Sequence, residues 1–144
     1  MRNSSISQIK NLAINLSLNL KNGDFLLLDG DIGTGKTTLT RFLINNIQKK
    51  YKKRQTEIPS PTFNIALEYN IKNFIVRHFD LYRIKKRFEI NNIGLFEEMD
   101  NTITIVEWPE LIKKKPKNYI KISLKYSKKK NERNLRISSY GKRK

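Results

Sequence analysis

Apolar residues along the chain follow two spacings, and each spacing predicts one kind of element. Apolar positions three or four residues apart predict two helices, one from Ser4 or Ser5 to Asn22-Gly23 and another from about Lys36 to Gln48. The apolar positions of these helices are Ile9, Leu12, Ala13, Leu16 and Leu20 in the first, and Leu39, Phe42, Leu43 and Ile47 in the second. Both helices therefore have one face suited to a core.

The remaining apolar segments predict strands, because they are either continuously apolar or alternate with polar residues. Two continuous segments predict buried strands, Asp24 to Asp29 and Ile103 to Val106. Two alternating pairs predict antiparallel hairpins, Thr62 to Tyr69 with Phe74 to Asp80, and Ile120 to Tyr126 with the segment around Leu135 and Ile137. We therefore expect an α/β fold, in which helices flank a mixed sheet and all 144 residues form one domain with a frayed tail from Tyr140 to Lys144.

Between the first predicted strand and the second predicted helix lies Gly30-Asp31-Ile32-Gly33-Thr34-Gly35-Lys36-Thr37, which matches the G-x-x-x-x-G-K-[ST] pattern of a phosphate-binding loop. Glycines in such a loop let backbone amides approach phosphate oxygens closely. Lys36 can reach the β- and γ-phosphates, and the Thr37 hydroxyl is a suitable ligand for Mg²⁺. The sequence predicts a P-loop NTPase-like domain that binds a nucleotide together with a metal ion.

Two acidic residues that end predicted strands are candidates for the rest of the site. Glu107 ends one strand and is our first choice for the second Mg²⁺ anchor, and Asp80 ends another and could orient or deprotonate water. A solvated strand end for Glu107 and a turn or capping role for Asp80 remain open alternatives. Ser60-Pro61-Thr62-Phe63 is either a segment that senses the γ-phosphate or a strand-entry turn. We assign His78 and Trp108 to packing.

Composition removes several function classes. The chain has no cysteine and a single histidine, so disulfides and zinc sites of the usual kind are not expected. No apolar segment resembles a signal peptide or membrane span, which favours a cytoplasmic protein without a membrane partner. The net charge of +17 fits either an RNA partner or a genome biased towards codons rich in A and T, and both interpretations stay open.

Four motifs together resemble the TsaE (YjeE) family. They are the loop from Gly30 to Thr38, Ser60-Pro61-Thr62-Phe63, His78-Phe79-Asp80-Leu81-Tyr82-Arg83 and Val106-Glu107-Trp108-Pro109. The resemblance implies an accessory ATPase that supports formation of threonylcarbamoyladenosine at position 37 of tRNAs reading ANN codons. It implies TsaD and TsaB as partners, contact with tRNA only through their complex, and ATP and Mg²⁺ as the bound groups.

The resemblance also assigns roles to residues. Asp31, Ile32, Gly33, Thr34, Gly35, Lys36, Thr37 and Thr38 would bind ATP, Thr37 and Glu107 would hold Mg²⁺, Asp80 would belong to the hydrolytic site, and Ser60 to Phe63 would be the switch-like segment. The segment from Phe88 to Leu95 would be a plausible partner surface. Ile9 stands where relatives often have threonine, so adenine contacts do not transfer, and Arg136 is more simply a solvated strand residue than a nucleotide ligand.

Two other functions use the same loop. A small-molecule kinase would pass the phosphate to a bound hydroxyl, and Arg83 and Arg87 could then belong to a lid. A basic RNA-binding protein could use the loop only as a switch.

Overall fold

Two helices and six strands form the regular part of the structure, a computed structural model that describes residues 5–59, 61, 65–129 and 132–141. The helices are α1 (Ser5–Asn19) and α2 (Lys36–Lys50). The strands are β1 (Phe25–Asp29), β2 (Ala66–Asn70), β3 (Ile75–Asp80), β4 (Thr102–Glu107), β5 (Tyr119–Tyr126) and β6 (Arg133–Tyr140). Three short 3₁₀ helices, Arg87–Asn92, Met99–Asn101 and Pro109–Leu111, lie in the connections.

All six strands join one mixed sheet in the order β2-β3-β4-β1-β5-β6. The four inner strands are parallel, and the edge strands β2 and β6 pair antiparallel with β3 and β5. This confirms the α/β class with a mixed sheet, and the two hairpins are formed. The parallel register places Leu28 beside Glu107 and Asp80 beside Glu107, so the carboxyl ends of β1, β3 and β4 meet at one edge.

The first hairpin strand begins later than the spacing predicted. Its predicted start at Thr62 lies outside the described residues, and Ile65 has φ 63°, a left-handed conformation that a regular strand cannot contain. The strand therefore starts at Ala66, while the carbonyl of Ile65 accepts a hydrogen bond from the Asp80 amide at 2.8 Å. This bond ties the entry of β2 to the end of β3.

Both helices cover the same face of the sheet, where they pack on alternate residues of β1 such as Leu26 and Leu28. The opposite face carries Phe25 and Leu27 and is covered by the irregular connections instead. Their buried contributions come from Leu81, Ile84, Ile90, Leu95 and Ile112. Helical cover on one side only is the main feature that apolar spacing did not define.

The C-terminal tail is predicted to fray from Tyr140 to Lys144. Tyr140 ends β6, and residues 142–144 lie outside the part of the chain that the structure describes. Among the described residues, neither helix has the length and apolar character needed to cross a bilayer.

Candidate functional site

The loop between β1 and α2 lies at the carboxyl edge of the parallel strands, where open α/β sheets bind ligands. Gly33 and Gly35 have φ values of 81° and 114°, which only glycine adopts without strain. A Cβ atom at Gly33 would lie 2.6 Å from the Tyr126 hydroxyl, and one at Gly35 would overlap the side chain of Ile9. Ile9 is 3% exposed and packs behind the start of α2. Both glycines are therefore required by conformation and by space.

The loop borders a cavity of about 360 Å³ that gathers most of the predicted site. Its lining consists of Ile32, Gly33, Gly35, Lys36, Thr37, Thr38, Asp80, Tyr82, Glu107 and Trp108. Residues from the loop, from β3 and from β4 thus face one space, although 70 positions separate Thr37 from Glu107. The cavity lining thus combines loop residues and a lysine with two acidic residues.

Two loop residues of the predicted nucleotide site, Asp31 and Thr34, do not line this cavity. Asp31 borders a neighbouring cavity of about 580 Å³, which Asp29, Glu110 and Tyr126 also line. Burial raises the pKa of Glu110, and a side-chain hydrogen bond with Asp29 raises this pKa further. Thr34 is 1% exposed, and its hydroxyl donates to the Asp31 carbonyl at 2.8 Å. The Thr34 side chain therefore stabilises the turn of the loop and does not line the first cavity.

The Lys36 side chain lies at the cavity and binds the backbone of the loop. Its Nζ donates to the carbonyl oxygens of Gly30 and Asp31, the second at 2.9 Å, and lies 3.9 Å from the centre of the Trp108 ring. Desolvation lowers the pKa of Lys36, and the nearby Glu107 is the strongest of the carboxyl groups that oppose this shift. The ammonium group is thus held at the cavity by neutral acceptors that a phosphate group could replace.

Glu107 connects the loop to the sheet. Its side chain is buried, its Oε1 accepts a hydrogen bond from Thr37 Oγ1 at 2.9 Å, and its Oε2 lies 2.5 Å from His78 Nε2. Two oxygen ligands from Thr37 and Glu107 match the preference of Mg²⁺ for hard donors. The described residues contain no group of three or more histidine or acidic side chains able to hold a metal ion by themselves, so a Mg²⁺ ion here would take its other ligands from phosphate and water.

His78 is a partner of the site that the sequence analysis assigned to packing. It is fully buried as expected, but its ring contacts Glu107, and its Nδ1 has no hydrogen-bond partner among the residues that the structure describes. The register pairs His78 with Ile105, two residues before Glu107, so both side chains point to the same face of neighbouring strands. This strand pairing was the signal that could have identified the contact.

Asp80 lies at the end of β3 beside Glu107. Burial raises the pKa of Asp80, and the negative charge of Glu107 adds to the rise, while a hydrogen bond from the Tyr82 amide to Asp80 Oδ1, at 3.1 Å, opposes it. A carboxyl group with increased proton affinity is suited to accept a proton from water. The bond from Tyr82 also fits the turn role that the sequence left open.

The C-terminal hairpin contacts the loop through residues that sequence reasoning missed. Tyr126 and Arg133 bind loop carbonyls, whereas Arg136 is exposed on the other face of β6. In the proposed switch-like segment, Pro61 is buried, and Ser60, Thr62 and Phe63 lie outside the described residues.

Comparisons with known proteins agree on one family. The family model described as "Threonylcarbamoyl adenosine biosynthesis protein TsaE" matches residues 3–135. The chain is 40% identical over 109 residues to the tRNA threonylcarbamoyladenosine biosynthesis protein TsaE of Rickettsia typhi, covering 76% of this chain and 73% of the relative. For the protein of the same name from Haemophilus influenzae, the identity is 36% over 96 residues, covering 66% of this chain and 58% of the relative.

A solved structure is similar as well. The crystal structure of Bacillus subtilis YdiB superimposes with a TM-score of 0.68 at 26% sequence identity, over 97% of this chain and 82% of that one. The similarity in structure therefore extends over nearly the whole fold described above.

Proposed function

The chain belongs to the TsaE family of tRNA threonylcarbamoyladenosine biosynthesis, and from this premise we propose that it is the ATPase of that process. The observation that carries the proposal is the convergence of Lys36, Thr37, Asp80 and Glu107 on one cavity beside a glycine-rich loop. These residues supply a cation, a hydroxyl and two carboxyl groups, which are the protein groups that phosphoryl transfer to water requires.

In the proposed reaction, the amides of Gly33 and Gly35 and the ammonium group of Lys36 bind the phosphates of ATP. To do so, Lys36 exchanges its contacts with the carbonyls of Gly30 and Asp31 for phosphate oxygens. Thr37 and Glu107 hold Mg²⁺, which when bound neutralises charge on the phosphates. Asp80 orients the attacking water and accepts its proton, a role favoured by the raised pKa of its carboxyl group.

We further propose that hydrolysis supports the turnover of a transferase formed by TsaD and TsaB in the cytoplasm. In this scheme the chain does not perform threonylcarbamoyl transfer, and it reaches tRNA only through that complex. The cavity beside the loop has the groups for phosphate chemistry.

Calorimetry with ATP and Mg²⁺ tests the nucleotide site directly. We expect wild-type protein to bind and Lys36→Ala to lose measurable affinity, because Lys36 supplies the only ammonium group among the described residues that line the cavity. Lys49→Ala is the matched control, since Lys49 is an exposed lysine in the last turn of the same helix. Equal binding by wild type and Lys36→Ala would contradict the proposed site.

Phosphate release, measured with and without purified TsaD and TsaB, tests the accessory role. We expect the two partner proteins to change the rate. A rate indifferent to them but increased by a small metabolite would instead support a kinase, and a rate that responds only to tRNA would support the RNA-dependent switch that the charge of +17 permits.

A further inference from the structure

Three consecutive carbonyl groups of the phosphate-binding loop are bound from outside by two side chains of the C-terminal hairpin. The Tyr126 hydroxyl donates to the Ile32 carbonyl at 2.5 Å. The Arg133 guanidinium donates through a terminal nitrogen to the Gly33 carbonyl at 3.3 Å and through Nε to the Thr34 carbonyl at 3.2 Å. These contacts join positions 94 to 100 residues apart in the chain.

The two side chains are themselves held in place. Tyr126 and Arg133 are opposite each other in the β5–β6 pairing, and the guanidinium carbon lies 4.8 Å from the centre of the Tyr126 ring. The backbone of Arg133 exchanges two hydrogen bonds with the side chain of Gln8 in α1, at 2.7 and 3.1 Å. The donors are therefore fixed by β5, by β6 and by α1 before they contact the loop.

Binding of the carbonyls determines where the loop amides point. A trans peptide is planar, and its carbonyl and amide groups point in opposite directions. The carbonyls of Ile32 and Thr34 share peptide planes with the amides of Gly33 and Gly35, the two glycines that line the cavity. The remaining plane carries the Thr34 amide, which donates to the Asp31 carbonyl at 3.3 Å within the loop. Donors on the hairpin side thus keep the Gly33 and Gly35 amides directed away from the hairpin.

We propose that Tyr126 and Arg133 are positioning residues that preorganise the phosphate-binding loop for nucleotide. The inference rests on the proposed function, because it assumes that the amides of Gly33 and Gly35 bind phosphate. Arg133 contributes more to this positioning than Tyr126, because its side chain binds two of the three carbonyl groups and its donors are charged. Without these donors the loop samples other peptide orientations, and part of the binding free energy is spent on ordering it.

Affinity for ADP with Mg²⁺ measures this effect without hydrolysis. We expect Arg133→Met to weaken binding by about tenfold or more and Tyr126→Phe by about fivefold, as for the loss of charged and neutral hydrogen bonds. Arg133→Lys keeps the charge but not the forked donor geometry, so it should also bind more weakly than wild type. Arg136→Met, an exposed arginine on the other face of the same strand, is the control and should bind like wild type.

Two readouts separate positioning from general stability. Hydrogen exchange of the segment 30–36 should accelerate in Arg133→Met while exchange in the rest of α2 is unchanged. For hydrolysis, KM should rise with little change in kcat. Should Arg133→Met fail to fold, Arg133→Lys and Tyr126→Phe carry the same test. Wild-type affinity in the Arg133 variants, or equal weakening by Arg136→Met, would overturn the inference, whereas failure of wild-type protein to bind ADP would overturn the proposed function together with it.

Discussion

The buried contact between His78 and Glu107 can be tested by a double-mutant cycle of Glu107→Ala, His78→Leu and the two changes combined. The His78 side chain is 0% exposed, and within the described part of the chain its Nδ1 already lacks a hydrogen-bond partner, so Glu107→Ala leaves both ring nitrogens without one. His78→Leu leaves the carboxyl group of Glu107, 1% exposed, with Thr37 as its hydrogen-bond donor in the described structure. Each single change therefore removes a hydrogen-bond partner from a buried polar group.

The expected magnitudes follow from that geometry. Removing one member of a buried pair costs about 3 kcal/mol of unfolding free energy, whereas replacing both members by apolar groups costs much less than the sum. We expect each single variant to lose about 3 kcal/mol, the double variant to lose a similar amount, and the coupling energy to be about 2–3 kcal/mol. The contact then stabilises the fold as well as orienting Glu107 towards Thr37.

Urea unfolding of the four proteins at neutral pH provides the measurement, with equal m-values as the check that unfolding is comparable. Additive losses, with a coupling energy below about 0.5 kcal/mol, would refute the reasoning. Such a result would mean that the remaining member of the pair finds another hydrogen-bond partner in each single variant, and that His78 contributes only as a packing residue.

Three other outcomes are expected. Burial raises the pKa of Asp80, so the folded state keeps this proton to a higher pH than the unfolded chain and loses stability as the pH rises through that interval. Asp80→Asn should therefore unfold at a higher urea concentration than wild type at pH 7, and this difference should close below the ordinary aspartate pKa of 3.8. The same variant should hydrolyse ATP more slowly. Gly35→Ala should lower the unfolding free energy by about 1–3 kcal/mol, because position 35 has a positive φ and the added Cβ overlaps Ile9. Ile9→Val should recover part of this loss in the double variant, and purely additive effects of the two changes on stability would contradict the overlap. Chelation of Mg²⁺ should abolish phosphate release, because EDTA removes the ion that Thr37 and Glu107 are proposed to hold. Unchanged release in excess EDTA would exclude the proposed metal role.

The sequence predicted those parts of the molecule that depend on local spacing. The apolar positions Leu39, Leu43 and Ile47 are buried as the helical period requires, and the alternating segments pair as hairpins. The glycine-rich loop also lies between β1 and α2, because its glycines and its flanking elements are adjacent in the chain.

Features that depend on pairing between distant strands could not be predicted in this way. The chain contains 30 lysine and arginine residues, and only the β5–β6 register shows that Arg133 faces the loop while Arg136, three positions later, faces away. The cover of the second sheet face was missed for a related reason. Its buried residues, such as Ile84 and Leu95, are isolated among polar neighbours and have no regular period.

The link from Gln8 to Arg133 spans 125 positions, almost the whole described chain. During synthesis on the ribosome, a nascent polypeptide that has emerged only as far as β5 would already contain every glycine of the loop but not the arginine that holds it. Contacts of such high sequence separation form late, because a long loop must close before they can contribute. Preorganisation of the loop should therefore be complete only after β6 has been synthesised, and a chain stopped before β6 should bind its ligand more weakly.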